Sequence, residues 1–319
     1  RENKKKANDA KALDQYIAEH PFTPQEATLQ TTINVFDVTS LKEQYNRVKA
    51  HNLEKEGTAG VLFYKGEEVD FRPDPSVKPI TKFPHRKDDD LTGGVVIYQN
   101  PWKTQDGNIP HNLYVICHDP YAQSKSTSNQ SLGAAYVIKR PNNLSKPDDM
   151  IVASYVGRPQ TQDEYNRNLF MLADYYNAKI GFENDRGELI AYAKRYRKLH
   201  KLQEEFEMLD KRELRSRNVK RQYGMHMTEQ RKRQGELYIR DWLISTRSSD
   251  EDGNVRLNLH EIYDVGLLQE LIKFNHKGNF DRVMAFMVGM YHTRELYNKE
   301  VVETINDMSQ NEWFDRNYR

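Results

Sequence analysis

The feature that most constrains the fold is a regular succession of apolar runs that begins near residue 111. Three runs have the length and composition of β-strands: LYVIC (113–117), GAAYVI (133–138) and MIVASYV (150–156). A helical pattern follows at 161–177, then a short strand ending in IGFE (180–183), and then a helical pattern from about 188 to 200. Three successive strands followed by helix, strand and helix predict an α/β fold, with helices on the faces of a mixed sheet.

The flanking regions are less regular. Residues 1–55 read as a helical and irregular N-terminal segment without a core of its own, and 56–110 as a small β-rich extension. The main domain is predicted to span 111–319. Within it, QYGMHM (222–227) indicates a fifth strand, Thr228 is placed to cap a helix, and SSDEDGN (248–254) indicates a hairpin tip. Two final helices are predicted near 261–275 and 280–298.

Composition limits the class of protein. Charged residues make up 30% of the 319 residues, and the mean hydropathy is −0.91. No apolar run approaches the roughly 18 residues that cross a bilayer, and the basic N-terminal stretch lacks the apolar centre of a signal peptide. Cys117 is the single cysteine, which excludes an internal disulfide framework and fits a reducing compartment. We therefore expect a polar, globular protein that does not enter the membrane.

Positive charge is concentrated between residues 194 and 233, which hold fourteen Lys or Arg against six Asp or Glu. One interpretation is a solvated helical face and loop, which is the usual origin of a charge run. The other is a surface that contacts phosphates, since affinity for polyanions comes mainly from such clusters. Nothing in the sequence matches a phosphate-binding loop or a G-x-G-x-x-G helix start, so no ATP site is predicted.

Three acidic residues occupy the most informative positions. Asp119 and Glu183 each end a predicted strand, and Asp281 falls in the first turn of the last helix. The face of that helix continues through apolar residues, so Asp281 should point towards the sheet. Each acid also has a simpler structural explanation: Asp119 starts a turn before Pro120, Glu183 lies at the rim, and Asp281 caps its helix.

Convergence of these acids would favour a metal site. If the first and fourth strands are neighbours, Asp119 and Glu183 lie close together, and two carboxylates about 4 Å apart repel by roughly 4 kcal/mol at an effective dielectric near 20. A bound proton or cation relieves that repulsion. Hard oxygen ligands suit Mg²⁺, and two such ions can support phosphodiester hydrolysis. Zinc is less expected, because no cysteine pair or H-x-x-x-H spacing accompanies the acids.

The order of these elements resembles the ribonuclease H-like nucleases, and more specifically the C-terminal nuclease domain of the large terminase of tailed bacteriophages. The resemblance is carried by the order and spacing of several pieces: YVICHDP (114–120), KIGFENDRG (179–187), YGMHMT (223–228), YDVGLLQELIKF (263–274) and GNFDRVMAFMVG (278–289). EHPFTPQEAT (19–28) resembles the end of the terminase ATPase domain, so the resemblance implies an ATPase domain in a longer chain.

The resemblance implies a metal-dependent endonuclease that cuts concatemeric double-stranded viral DNA during genome packaging. It implies Asp119, Glu183 and Asp281 as catalytic, metal-binding acids for two Mg²⁺ or Mn²⁺ ions. His276 and Phe280-Asp281 stand where many relatives have paired acids, which leaves Asp185 and Asp264 as further candidates for the second ion. The implied partners are DNA, the small terminase subunit and the portal protein, in the host cytoplasm at the portal vertex of the procapsid.

The basic region would then follow the duplex past the acids. Its candidate phosphate contacts are Arg195, Arg197, Lys198, Arg215, Arg217, Lys220 and Arg221. Two other interpretations stay open. One is a different ribonuclease H-like phosphodiesterase, of the transposase or resolvase type, and the other is a non-catalytic module that docks on the portal.

Overall fold

The computed structural model describes residues 34–86, 88–121, 131–184, 187–207, 223–249, 255–276 and 278–318. The strands are β1 Thr58–Lys65, β2 Glu68–Pro73, β3 Gly94–Ile97, β4 Tyr114–Asp119, β5 Gly133–Lys139, β6 Met150–Gly157, β7 Lys179–Phe182, β8 Thr246–Ser249 and β9 Val255–Leu257. The α-helices are α1 Val38–Ala50, α2 Gln162–Tyr175, α3 Glu188–Arg195, α4 Glu229–Ile244, α5 Val265–Lys273 and α6 Asp281–Tyr318. None of the described helices is long and apolar enough to cross a membrane.

A seven-stranded mixed sheet forms the centre of the molecule, in the order β2-β1-β3-β6-β5-β4-β7. Strands β4, β5 and β6 form an antiparallel meander, and β7 lies parallel to β4 on its other side. A parallel neighbour needs a crossover connection, which α2 provides. The predicted α/β class is confirmed. The first and fourth strands of the main domain are neighbours, which meets the condition on which the meeting of Asp119 and Glu183 depended.

Helices cover both faces of this sheet. Alternate residues of β4 face opposite sides, as the two-residue period of a strand requires. Val115 and Cys117 pack with the apolar side of α6, including Val288, whereas Ile116 packs with α2 at Leu169. Strands that are buried on both faces are nearly continuously apolar, which is why these runs are readable in the sequence.

The predicted β-rich extension continues the main sheet. β3 pairs antiparallel with β6, from Gly94 opposite Val156 to Ile97 opposite Ala153, and β1 and β2 extend the sheet beyond β3. Helix α1 also joins the main core, because Leu41 and Val48 are buried in it. The short apolar pattern of α1 did not predict that the helix packs into the main core, because its partner α5 lies more than 200 residues away in the sequence. The boundaries at 55 and 110 stay predictions.

The C-terminal third agrees in part with the sequence. Thr228 caps α4 as predicted, its hydroxyl accepting a hydrogen bond from the Arg231 backbone N–H. Residues 223–227 form no continuous strand. They make isolated bridges, of which the parallel bridge from Met225 to Glu183 extends the order β5-β4-β7 by one position. Helix α6 runs well past the predicted end at 298, because the stretch that follows contains no glycine or proline to end it.

Candidate active site

Two strand ends deliver the first pair of acids to one edge of the sheet. His118 of β4 lies opposite Phe182 of β7 in a parallel register, and the Glu183 backbone N–H donates to the His118 carbonyl oxygen at 3.2 Å. Asp119 and Glu183, the next residue of each strand, therefore leave the sheet side by side. This is the arrangement that parallel neighbouring strands predict.

The third acid is held at the first residue of α6. Asp281 is only 6% exposed, and its carboxylate accepts hydrogen bonds from the Ser131 hydroxyl at 3.0 Å and the Leu132 backbone N–H at 2.8 Å. Ala285 and Val288, on the same helical face, are fully buried. Burial raises the pKa of Asp281, and these two hydrogen bonds oppose the rise. The side chain points inward, as the apolar face of the helix predicts.

Asp119, Glu183 and Asp281 line one cavity of about 250 Å³, which we call the acidic cavity. Its floor is formed by the ends of β4 and β7, one wall by α4, and the other by the loop between α5 and α6. The α4 wall adds Glu229, Lys232 and Glu236, and the loop wall adds His276.

The chemistry of this cavity fits a divalent cation, although its side chains are not arranged as a coordination sphere. Among the described residues, the lining holds five carboxyl groups and one lysine, so its summed charge attracts cations. Carboxylate oxygens are the hard donors that Mg²⁺ and Mn²⁺ take. Within the described residues, no three His, Cys, Asp or Glu side chains are placed so that they could hold one ion together. Metal binding would therefore need side-chain rearrangement.

A buried ion pair fixes the start of α6. The Glu270 carboxylate accepts hydrogen bonds from the backbone N–H groups of Arg282 at 2.9 Å and Val283 at 3.3 Å, as a helix-capping side chain would. It also accepts a bond from the Arg282 guanidinium at 2.8 Å. Burial raises the pKa of Glu270, and the positive charge of Arg282 opposes that rise. The position of Asp281 thus depends on a pair that sequence reasoning did not identify.

Asp264, one of the two secondary metal candidates, lies elsewhere. Asp264 caps α5 by accepting from the Gly266 and Leu267 backbone N–H groups, and it accepts a 2.7 Å bond from the Tyr136 hydroxyl. It does not line the acidic cavity. Asp185 lies outside the described residues.

The cavity residues that sequence reasoning missed are on α4. Glu229, Lys232 and Glu236 are separated by three and four residues, so they share one face of the helix. That spacing is readable in the sequence, but only the tertiary packing shows that the face is turned towards the three acids. Gly235 permits this packing, because a Cβ atom there would lie 2.1 Å from Met287 of α6.

Three of the seven candidate phosphate contacts are described, and they lie on the face of the sheet that α2 and α3 cover: Arg195, Arg197 and Lys198. Arg195 pairs with Asp163 at 2.9 Å, and Lys198 pairs with Asp174 at 2.7 Å. Arg197 is exposed. Four candidates lie outside the described residues: Arg215, Arg217, Lys220 and Arg221. A DNA-binding role for the cluster stays a prediction.

The strand topology is that of a ribonuclease H-like fold. β4, β5 and β6 form an antiparallel meander, β7 lies parallel to β4, and the bridge at Met225 extends the sheet beyond β7. Acids lie at the edge where β4 and β7, the first and fourth strands of this fold, end. Among solved structures, the chain is similar to the large terminase nuclease from thermophilic phage G20c. The form with bound zinc aligns with 14% identity and a TM-score of 0.36, over 62% of this chain and 90% of that one. A second structure of the same nuclease aligns with 13% identity and the same TM-score, over 62% and 91% of the two chains. No protein-family model and no curated protein matches the sequence.

Proposed function

We propose that this protein is a divalent-metal-dependent endonuclease that cuts double-stranded DNA. The observation that supports the proposal is the meeting of Asp119, Glu183 and Asp281, from three separate elements, in one cavity. A similarity at a TM-score of 0.36 assigns no function, so the proposal rests on the residues of the site and on the motifs that carry the family resemblance.

The three acids are the proposed holders of the metal, with Asp119 and Glu183 contributing from strand ends and Asp281 from the helix. One or two Mg²⁺ or Mn²⁺ ions in such a site supply an activated water and a counter-charge for the leaving oxygen in phosphodiester hydrolysis. Acids carried at the ends of ordered strands and helices are suited to this role, because their backbone positions are set and only their side chains need to rearrange around an ion.

The residues around the acids have supporting roles. Ser131 and the Leu132 backbone N–H orient the Asp281 carboxylate, which leaves oxygen lone pairs for a cation. Lys232 lines the cavity, and its amino group lies 3.6 Å from the Glu229 carboxylate. We propose that Lys232 contacts a DNA phosphate at the mouth of the cavity, where an ammonium group acts as a point charge.

The proposed biological setting is viral genome packaging, in which the nuclease cuts concatemeric DNA. In that setting the partners are the small terminase subunit, the portal protein and an ATPase domain of a longer chain. The family resemblance of the motifs supports this setting.

The experiment is a plasmid-cleavage assay with Mg²⁺ or Mn²⁺. Asp119→Asn and Glu183→Gln keep the shape of each side chain and remove its charge, so each should abolish cleavage while thermal unfolding stays cooperative. Asp163→Asn, at an exposed acid that pairs with Arg195, is the matched control and should cleave as the unmodified chain does. A fully active Asp119→Asn/Glu183→Gln double variant would refute the proposal.

The same assay separates the alternatives. A transposase-like or resolvase-like enzyme would prefer defined ends or branched junctions over plain duplex. A docking module would cleave neither and would bind no Mn²⁺ at the three acids.

A further inference from the structure

Glu236 is a buried acid with an unusual environment. Its side chain is 4% exposed, it lines the acidic cavity from the α4 wall, and its Oε1 atom accepts no hydrogen bond among the described residues. A buried carboxylate oxygen that lacks a donor is costly, so such an oxygen usually takes up a proton or a cation.

The group opposite this oxygen is the imidazole of His276. Its Nδ1 atom lies 3.4 Å from Glu236 Oε1, which is too long for a good hydrogen bond but within ion-pair range. The loop that carries His276 is anchored: the Phe274 and Phe280 rings pack at 5.2 Å, and the Gly278 backbone N–H donates to the Asn275 side chain at 3.0 Å. The backbone segments that carry Glu236 and His276 are thus held opposite each other by the fold.

This separation matches that of two ligands of one metal ion. A histidine nitrogen and a carboxylate oxygen that each lie roughly 2.1 Å from a tetrahedral ion are about 3.4 Å apart. A mixed nitrogen and oxygen donor set suits Zn²⁺ or Mn²⁺, whereas Mg²⁺ prefers oxygen and water.

We propose that Glu236 and His276 form a cation site on the wall of the acidic cavity opposite the strand ends, with a preference for Zn²⁺ or Mn²⁺ over Mg²⁺. Water completes the coordination. The proposal deepens the proposed function, because it gives the cavity an ion site beyond the three acids, but its test requires no cleavage.

The test is isothermal titration calorimetry of the chain with ZnCl₂, MnCl₂ and MgCl₂ at neutral pH. Glu236→Gln and His276→Ala should each weaken the same Zn²⁺-binding event by more than about tenfold. Losing a metal ligand should reduce metal affinity at least as much as losing a residue that only orients a ligand. Asp119→Asn should leave that event in place. Glu229→Gln is the matched control, because this acid lies on the same helical face and its side chain is 76% exposed.

Several outcomes would overturn the site. These are unchanged Zn²⁺ binding in Glu236→Gln, an equal loss in Glu229→Gln, or a preference of the affected event for Mg²⁺. The variants can be compared directly, because Glu236→Gln preserves side-chain shape and the His276 side chain is 54% exposed, and circular dichroism checks that each is folded. If Glu236→Gln binds normally while Asp119→Asn abolishes cleavage, this site fails and the proposed nuclease stands.

Discussion

Glu270 and Arg282 form an ion pair that is buried beneath the start of α6, with Nη1 of the arginine 2.8 Å from Oε1 of the glutamate. Arg282 is 0% exposed and directly follows Asp281 in the chain. Its guanidinium also donates to the Ile80 carbonyl oxygen, so the pair joins α5, α6 and the segment before β3. The Glu270–Arg282 ion pair and the hydrogen bond from Ser131 to Asp281 therefore fix the proposed metal-binding end of α6.

Removing one partner of this pair should be strongly destabilising. Glu270→Ala leaves the Arg282 guanidinium buried without its closest counter-charge, and breaking a buried pair in this way costs about 3 to 5 kcal/mol. Glu270→Gln keeps an oxygen acceptor for the backbone N–H groups, so we expect a smaller loss. Denaturant unfolding measures both. An effect of Glu270→Ala below about 1 kcal/mol would show that the pair does not hold the helix.

The Ser131 hydroxyl should matter more for metal affinity than for folding. Ser131→Ala removes one of the donors that orient the Asp281 carboxylate, while the buried pair of Glu270 and Arg282 still anchors the start of α6. Asp281 would keep its bond from the Leu132 backbone N–H but gain rotational freedom. We expect weaker Mn²⁺ binding by calorimetry and slower cleavage. Ser76→Ala, at an exposed serine that bonds Asp74, is the control and should change neither quantity.

The sequence predicts the central part of this molecule well, for a physical reason. Strands β4 to β7 are buried on both faces, so their apolar runs carry the signal of the fold, and the strand ends place Asp119 and Glu183. Asp281 is predictable because the apolar face of α6 fixes its direction.

The rest depends on contacts between distant segments. Glu270 and Arg282 look like ordinary surface charges in the sequence, and only packing buries them together. The Glu236 side of α4 becomes a cavity wall because Gly235 lets α4 approach Met287 closely. Helix α1 enters the core through a partner that local periodicity cannot reveal.

The acid sensitivity of the fold should depend in part on His292. Burial, helped by the positive charges of Arg140, Lys179 and Lys299, lowers its pKa from 6.5 to about 3. The histidine is thus neutral when folded but takes up a proton on unfolding below pH 6.5. Between the two pKa values, this histidine should lower the free energy of unfolding by about 1.4 kcal/mol for each unit by which the pH falls.

Denaturant unfolding at pH 7.5, 6.5 and 5.5 measures this dependence. His292→Asn should flatten the pH profile below 6.5, whatever it does to stability at pH 7.5. His51→Asn, at an exposed histidine, should leave the profile unchanged. An identical slope for His292→Asn and the unmodified chain would contradict the prediction.

Lys232 and Arg195 should differ in their importance for cleavage. Lys232 lines the acidic cavity, where a scissile phosphate would lie, whereas Arg195 pairs with Asp163 on the face that α2 and α3 cover. Lys232→Ala should therefore slow plasmid cleavage at low salt markedly, and Arg195→Ala should slow it little. Because each phosphate contact releases counterions, Lys232→Ala should also make the slope of log binding constant against log salt concentration shallower by about one unit. Cleavage that falls with Arg195→Ala and not with Lys232→Ala would place the DNA path across the α2–α3 face instead.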